Sequence, residues 1–402
     1  MKKNLITLLF VFTVINMFGQ VPAAPKTGKT ITSNAGLSPA EMVTNKAIRP
    51  IKKIPLDDTS ILIYDYDGSL FSFDLVSETI NWTVKATDAY TEMCANKITL
   101  LNGVLYVPFI NGEIFAIDNQ SGDLFWKSRL GNITDQIVLK DQTPIINDGK
   151  LFITAQNQNQ SSNLYALDIK DGSLVWNYKL DSAQNDIQPL FLNNKIFIPS
   201  ATNLYSFDAK TGKVLSQKTF EENITGKPIT DGENIFVANE KNTLYALSPD
   251  KLDILWQFKF DENQNNVKER IVYKNQKIYF GTQGSQAGSV YAVDSKTGTQ
   301  QWKVDFKEDN VEYIIEESNN IWGYTRKKKL FQLDFNGETV FETKLTTLPV
   351  SNIEFPADDN LLYYYCDAGL IQFDLTEKDE NVYYMRTSLG DNVYTSYLKI
   401  IR

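Results

Sequence analysis

Any chemistry in this 402-residue chain has to be done without histidine, because there is none. That removes Ser-His-Asp triads, Cys-His pairs and imidazole metal sites, and leaves proton transfer to Asp, Glu, Tyr or Lys. Three groupings of reactive side chains stand out. Asp65 and Asp67 in DYDG look like a fragment of a calcium loop, but no acidic ligand follows at loop spacing, so an Asp-Gly hairpin turn is the better reading. Cys94 and Cys366 are far apart; export would permit a disulfide between them, and burial as small hydrophobes is the commoner fate. TRKKK at 325–329, with Arg326, Lys327 and Lys328, is a basic cluster in an acidic chain. It reads as a solvated hairpin tip or as a docking spot for an acidic partner.

A fourth grouping is periodic. Aspartates recur at Asp74, Asp118, Asp168, Asp208, Asp294, Asp334 and Asp374, with Ser248 in the same place of one further copy. A glycine follows four residues later at Gly122, Gly172, Gly212 and Gly298. A tryptophan stands eight residues past the aspartate place at Trp82, Trp126, Trp176, Trp256 and Trp302, leaving only Trp322 elsewhere. These types suit a structural task better than a catalytic one. A short carboxylate at a strand end accepts backbone N–H bonds from the following turn. Glycine supplies the positive φ of that turn. A flat indole fills a gap between adjoining units.

The elements that carry this pattern are short strands. Within one copy ITLL, VLYVPFI, EIFAID and LFWKSRL are joined by NG, NG and QSG, which are hairpin signals. The copies are spaced by 40 to 50 residues. That period, with alternation of two and no helical periodicity, predicts an all-β chain of four-stranded antiparallel blades closed into a β-propeller. Eight copies predict eight blades; seven is the alternative if the last copy, which lacks the glycine and tryptophan, only closes the ring. The strand-like C-terminal YTSYLKIIR is a candidate to pair near Ile51.

Ahead of the blades, two lysines precede an apolar run from Leu5 to Phe18, the pattern of a secretory signal peptide over 1–19, with cleavage after Gly19 or as late as Ala23. No cysteine lies near either point, so an exported, periplasmic or extracellular protein that is not a lipoprotein is expected. Residues 20–47 are rich in Pro, Gly, Ser, Thr and Ala and read as a flexible linker; 48–402 would be the propeller. The formal net charge is −9, which argues against nucleic acid or anionic membrane as partner. No transmembrane segment is expected once the leader is removed, and the protein is expected to be a monomer.

The motif Ala-x-Asp-x-x-Thr-Gly-x-x-x-Trp is complete at Ala292, Asp294, Thr297, Gly298 and Trp302, and nearly so at Ala116 to Trp126 and at Ala166 to Trp176. It resembles the pyrroloquinoline-quinone-type (PQQ-like) propeller repeat over roughly residues 48 to 390. One branch of that family, the quinoprotein dehydrogenases, implies PQQ with calcium in a central channel. This chain lacks the vicinal cysteine pair of the alcohol enzymes and any insertion to carry the calcium carboxylates. The other branch, exemplified by the BamB propeller of the outer-membrane β-barrel assembly machinery, implies a non-catalytic scaffold for protein partners. It is similar in size, export signal and blade count, and differs in the lipoprotein cysteine missing here.

Insertions locate the expected partner surface. AQNQNQSSN, with Gln156, Gln158 and Gln160, and GTQGSQAGS, with Gln283 and Gln286, fall between second and third strands of their copies. The long connectors 85–97 and 261–270 run between blades. In an up-and-down blade both loop classes reach one face, so that face is enlarged and amide-rich, the kind of loop surface that carries function on a rigid scaffold. The reading is a non-enzymatic exported propeller without catalytic, cofactor or metal residues, binding protein partners in the cell envelope. The alternatives are a quinone- or sugar-handling enzyme using channel carboxylates, with PQQ and calcium as cofactors, or a sensor propeller with a small ligand in its funnel.

Overall fold

The computed structural model describes residues 60–401 except 66–67, 78, 88–93, 133–135, 158–160, 181–187, 262, 266, 268–270, 286, 357–359, 368 and 384–396. The signal and linker segments expected at 1–47 therefore lie outside the described residues. All described residues belong to the unit Ser38–Arg402. Every regular element among them is a strand, and the strands form eight antiparallel blades of an eight-bladed β-propeller.

Blade 2 shows why the sequence folds this way. Its strands Thr99–Leu101, Val104–Pro108, Glu113–Asp118 and Leu124–Arg129 pair in that order from the channel outward. Asn102 and Gly103 supply the two positive φ angles, 50° and 79°, that a tight turn of this hand needs. The two middle strands are buried almost throughout, whereas the outer strand is largely exposed, with Trp126 its one buried residue. Burial on both faces of a middle strand needs a neighbour on each side. Accordingly the core is divided into clusters that each join two blades, such as Leu62, Tyr64 and Leu70 of blade 1 with Leu105, Val107 and Phe115 of blade 2. One blade alone would leave both faces wet, which is the reason for repetition.

The ring is closed by the chain ends. Leu398–Ile401 is the innermost strand of blade 1, antiparallel to Ser60–Tyr64, with Ile63 opposite Leu398 and Ser60 opposite Ile401. The partner is thus about ten residues beyond the expected segment near Ile51, which is itself outside the described residues. Asn352 of blade 8 grips the other edge of this strand. Its side-chain NH₂ donates to the Leu398 carbonyl at 3.0 Å and its Oδ1 accepts the Leu398 N–H at 3.0 Å. Glu354 Oε2 accepts the Ile400 N–H at 3.1 Å.

Blade 8 itself has strands Leu361–Cys366, Gly369–Asp374 and Asp379–Tyr383. Its inner place is taken by a segment held by the Glu354–Tyr363 bridge and by Val350 N–H donating to the Tyr365 carbonyl. The eighth copy is therefore a blade, and the seven-bladed alternative fails. Cys94 and Cys366 are buried thiols in different clusters and form no disulfide.

Candidate functional site

The recurring aspartates do bonding within their own turns. Asp118 Oδ1 accepts the N–H of Gln120 at 2.9 Å and of Ser121 at 2.8 Å. Asp208 Oδ1 accepts Thr211 N–H at 2.8 Å and its hydroxyl at 2.6 Å. Asp294 accepts from Lys296 and Thr297, Asp334 from Asn336 and Glu338, Asp374 from Thr376 and Glu377, Asp74 from Val76 and Ser77, and Asp168 from Lys170. Hydrogen bonds to the charged form favour it. The Ser121 N–H holds the Asp118 carboxyl below the usual aspartate range, the Thr211 hydroxyl does so at Asp208, and the Glu338 N–H at Asp334. At Asp294 burial pushes upward, but the Thr297 and Lys296 donors outweigh it.

This arrangement fixes a pH dependence. Folded-state values below the ordinary 3.8 mean that stability is fully present above the unfolded value and is lost as pH falls through the folded values. The melting temperature should be nearly flat from about pH 7 to 5 and fall below about pH 4. In Asp208→Asn the loss below about pH 4 should be shallower than in wild type. Comparing the two Tm–pH profiles cancels the general effect of titrating an acidic protein; superimposable slopes would refute the assignment.

The tryptophans bridge blades. Each indole N–H donates to a carbonyl in the turn of the next blade: Trp82 to Asn119 at 3.2 Å, Trp126 to Ile169 at 2.8 Å, Trp176 to Ala209 at 3.2 Å, Trp256 to Ser295 at 3.0 Å and Trp302 to Phe335 at 3.0 Å. Each indole packs directly against that turn's glycine. A Cβ built on Gly172 would stand 2.5 Å from the Trp126 ring, and one on Gly212 2.6 Å from Trp176. The glycine therefore has two reasons to be glycine, its φ of about +73° and the indole above it. Gly337, in the same position beneath Trp302, escaped the spacing rule because its turn is one residue shorter.

Blades 4 and 5 keep the interlock with other residues. Ser216 stands in the tryptophan place of blade 4, and Leu252, fully buried with φ +60°, stands in the glycine place of blade 5. Leu252 packs into the cluster shared by the two blades. The Pro249 carbonyl, which an indole would otherwise reach, accepts from Lys195 Nζ at 3.2 Å. Large-small has become small-large across one boundary. Between blades 7 and 8 the pair is Phe341 with Lys378, whose ammonium lies 4.9 Å from the ring centre.

The enlarged face is built from zipped loops. Gln264–Asn265 of the blade 5–6 connector pairs with Gln283–Gly284 of the blade 6 insertion. Ile137–Val138 pairs with Gln156 and Asn157 of the blade 3 hairpin. Gln156 is half-buried there, and Gln158, Gln160 and Gln286 lie outside the described residues. Gln283 is one of the amides expected at the partner surface. It is buried, and its amide donates to the Val311 carbonyl at 3.4 Å, because strand pairing turns it inward. In the basic turn, Arg326 Nε donates to Glu312 at 2.8 Å, Lys327 N–H to Asp309 at 2.9 Å and Lys328 Nζ to the Thr346 carbonyl at 2.9 Å.

The channel holds a cavity of about 640 Å³ between the inner strands of blades 1, 2, 7 and 8. Its lining mixes Ile98, Leu100, Ile353 and Phe355 with the polar Thr99, Glu317, Glu354 and Lys399. Both Glu354 oxygens are engaged, one by Ile400 N–H and one by Asn352 at 2.7 Å. Calcium takes six to eight oxygen ligands. Among the described residues no group of three His, Cys, Asp or Glu is placed to hold a metal ion. This donor set does not fit PQQ with calcium. No helix among the described residues is long and apolar enough to cross a membrane.

Comparison with known proteins follows the same line. The family model described as outer membrane protein assembly factor BamB matches residues 19–258. The BamB of Yersinia pestis is 27% identical over 138 residues, covering 33% of this chain and 34% of that protein. The Francisella salina BamB is 23% identical over 233 residues, 53% of this chain and 42% of the relative. Such matches span only about a third to two fifths of the relatives' length. Among solved structures, BamB from Moraxella catarrhalis superposes with a TM-score of 0.59 at 16% identity, over 80% of this chain and 92% of the other. A europium-containing methanol dehydrogenase gives 0.59 at 12% identity, over 77% and 80%. At these identities the structures speak for the fold alone, whereas the family model covers more than half of the sequence. The chain belongs to the outer membrane protein assembly factor BamB family of PQQ-like β-propellers.

Proposed function

We propose that this protein is an exported, non-catalytic propeller scaffold of the cell envelope that binds protein partners through its enlarged loop face, in the assembly of outer-membrane proteins. The family membership supports the class of function. The observation that supports the surface is the strand pairing of Gln264–Asn265 in the connector with Gln283–Gly284 in the insertion, on the face away from tight turns such as that at Asn102 and Gly103. Ordered loops on a rigid frame present a surface at little entropic cost on binding. The channel donor set supports a scaffold over a quinone enzyme, since the Glu354 carboxylate there bonds the closing strand.

The test is a pull-down from the native envelope with residues 156–162 shortened to a tight turn. Partner recovery should fall by about tenfold or more while the melting temperature stays within a few degrees, because surface insertions contribute little to stability. Undiminished recovery would remove this face from the account.

A further inference from the structure

Between blades 6 and 7, on the enlarged face, runs a groove of about 650 Å³. One wall is the end of the blade 6 outer strand Gln300–Lys307; the other is the basic turn and the outer strand Thr339–Lys344 of blade 7. The floor is apolar, with the Phe306 and Phe331 rings 4.6 Å apart. Four lysines line it, Lys307, Lys327, Lys329 and Lys344, together with Asp305, Asp309 and Glu342.

The acids are already engaged. Asp305 accepts from the Ser289 hydroxyl at 2.6 Å and pairs with Lys303 at 2.9 Å. Asp309 accepts the N–H groups of Asn310 at 2.8 Å and Lys327 at 2.9 Å. Glu342 pairs with Lys329 at 3.1 Å. Lys307 and Lys344 are exposed and have no ion-pair partner among the described residues. Four lysines against three carboxylates give the lining a formal charge of +1, on a chain of net charge −9. The Gly288 N–H donates to the Asp309 carbonyl at 2.7 Å, and Gly284 N–H to Asn310 Oδ1 at 2.8 Å, so the blade 6 insertion is fastened to the groove's rim.

We propose that this groove receives an extended peptide segment of a partner in which one or two carboxylates alternate with apolar side chains. The carboxylates would meet Lys307 and Lys344, and the apolar side chains the floor between the walls. Three carboxylates among four lysines repel a dense polyanion, so phosphate-rich ligands fit poorly. The volume is in the range of sites that take a short segment. This deepens the partner-binding reading above and rests on it.

The experiment selects displayed random heptapeptides on the full mature protein and measures the winners by fluorescence anisotropy, with inositol hexakisphosphate as the polyanion control. The expected winners carry Asp or Glu between apolar residues. They should bind Lys307→Glu/Lys344→Glu about tenfold or more weakly, and Lys307→Ala/Lys344→Ala by a smaller factor, as two exposed pairs allow. Both lysines are exposed, so an unchanged melting temperature separates lost binding from lost folding. Winners without acidic residues, equal binding to the charge-reversed protein, or tighter binding of the hexakisphosphate would each overturn the proposal. Loss of native partner recovery on shortening 156–162, with full recovery for the lysine variants, would sink this groove and leave the loop face standing.

Discussion

Removing the closing strand, by deleting residues 397–402, is expected to abolish cooperative folding at 25 °C. Tyr397, Leu398 and Ile400 are all buried, and each truncated side chain costs about 2–5 kcal/mol. The sum reaches the whole stability of a typical domain, about 5–15 kcal/mol. The deletion also leaves the inner edge of Ser60–Tyr64 without its ladder and the Ile98 N–H without the Tyr397 hydroxyl at 3.2 Å. A graded version tests the same latch. Asn352→Ala strips the Leu398 N–H and C=O of their partners and should cost about 2–5 kcal/mol, since each unsatisfied buried group costs about 1–3. Asn352→Asp keeps the acceptor, loses the donor and sets a second carboxylate beside Glu354, so it should be no milder. Urea unfolding with limited proteolysis measures both; an Asn352→Ala protein as stable as wild type would contradict the latch.

The second large effect concerns the blade boundaries. Trp126→Ala is expected to cost about 3–5 kcal/mol, because the ring fills the space between blades 2 and 3 and gives the Ile169 carbonyl its donor. Gly172→Ala is expected to cost about 2–5 kcal/mol, of which about 1–2 is the left-handed backbone and the rest the collision with the indole. A methyl group is a small change to carry such a penalty. It follows from the 2.5 Å separation between the built Cβ and Trp126, which forces the ring or the turn to move. At the blade 4–5 boundary the same logic runs in reverse, since Leu252 already occupies the glycine place opposite Ser216.

What was legible in the sequence is what repeats locally. Asp118, Gly122 and Trp126 lie within one hairpin, so their spacing reveals the blade, the turn and the ring. The exceptions depend on residues remote in sequence. Nothing near Ser248 shows that Lys195 of the previous blade bonds the Pro249 carbonyl, and nothing near Ser216 shows that Leu252 takes up the missing volume. The closing strand was visible as a strand, but its register depends on pairing between opposite chain ends, which local patterns do not encode. The burial of Gln283 is not legible locally, because its partner strand, Gln264–Asn265, lies in a connector without strand signals of its own. Arg326 and its neighbours were legible as charge, while the groove beside them exists only once blades 6 and 7 are side by side.

The central claim is that at five boundaries neighbouring blades are interlocked by an indole seated on the next blade's glycine. A double-mutant cycle on Trp126 and Gly172 tests it most directly, through urea unfolding of wild type, Trp126→Ala, Gly172→Ala and the double variant. If the indole meets the glycine, Gly172→Ala should cost only the backbone share of about 1–2 kcal/mol once Trp126 is gone, leaving a coupling of at least about 1 kcal/mol. Strictly additive costs would mean that the two residues do not touch, and the interlocked ring would have to be abandoned.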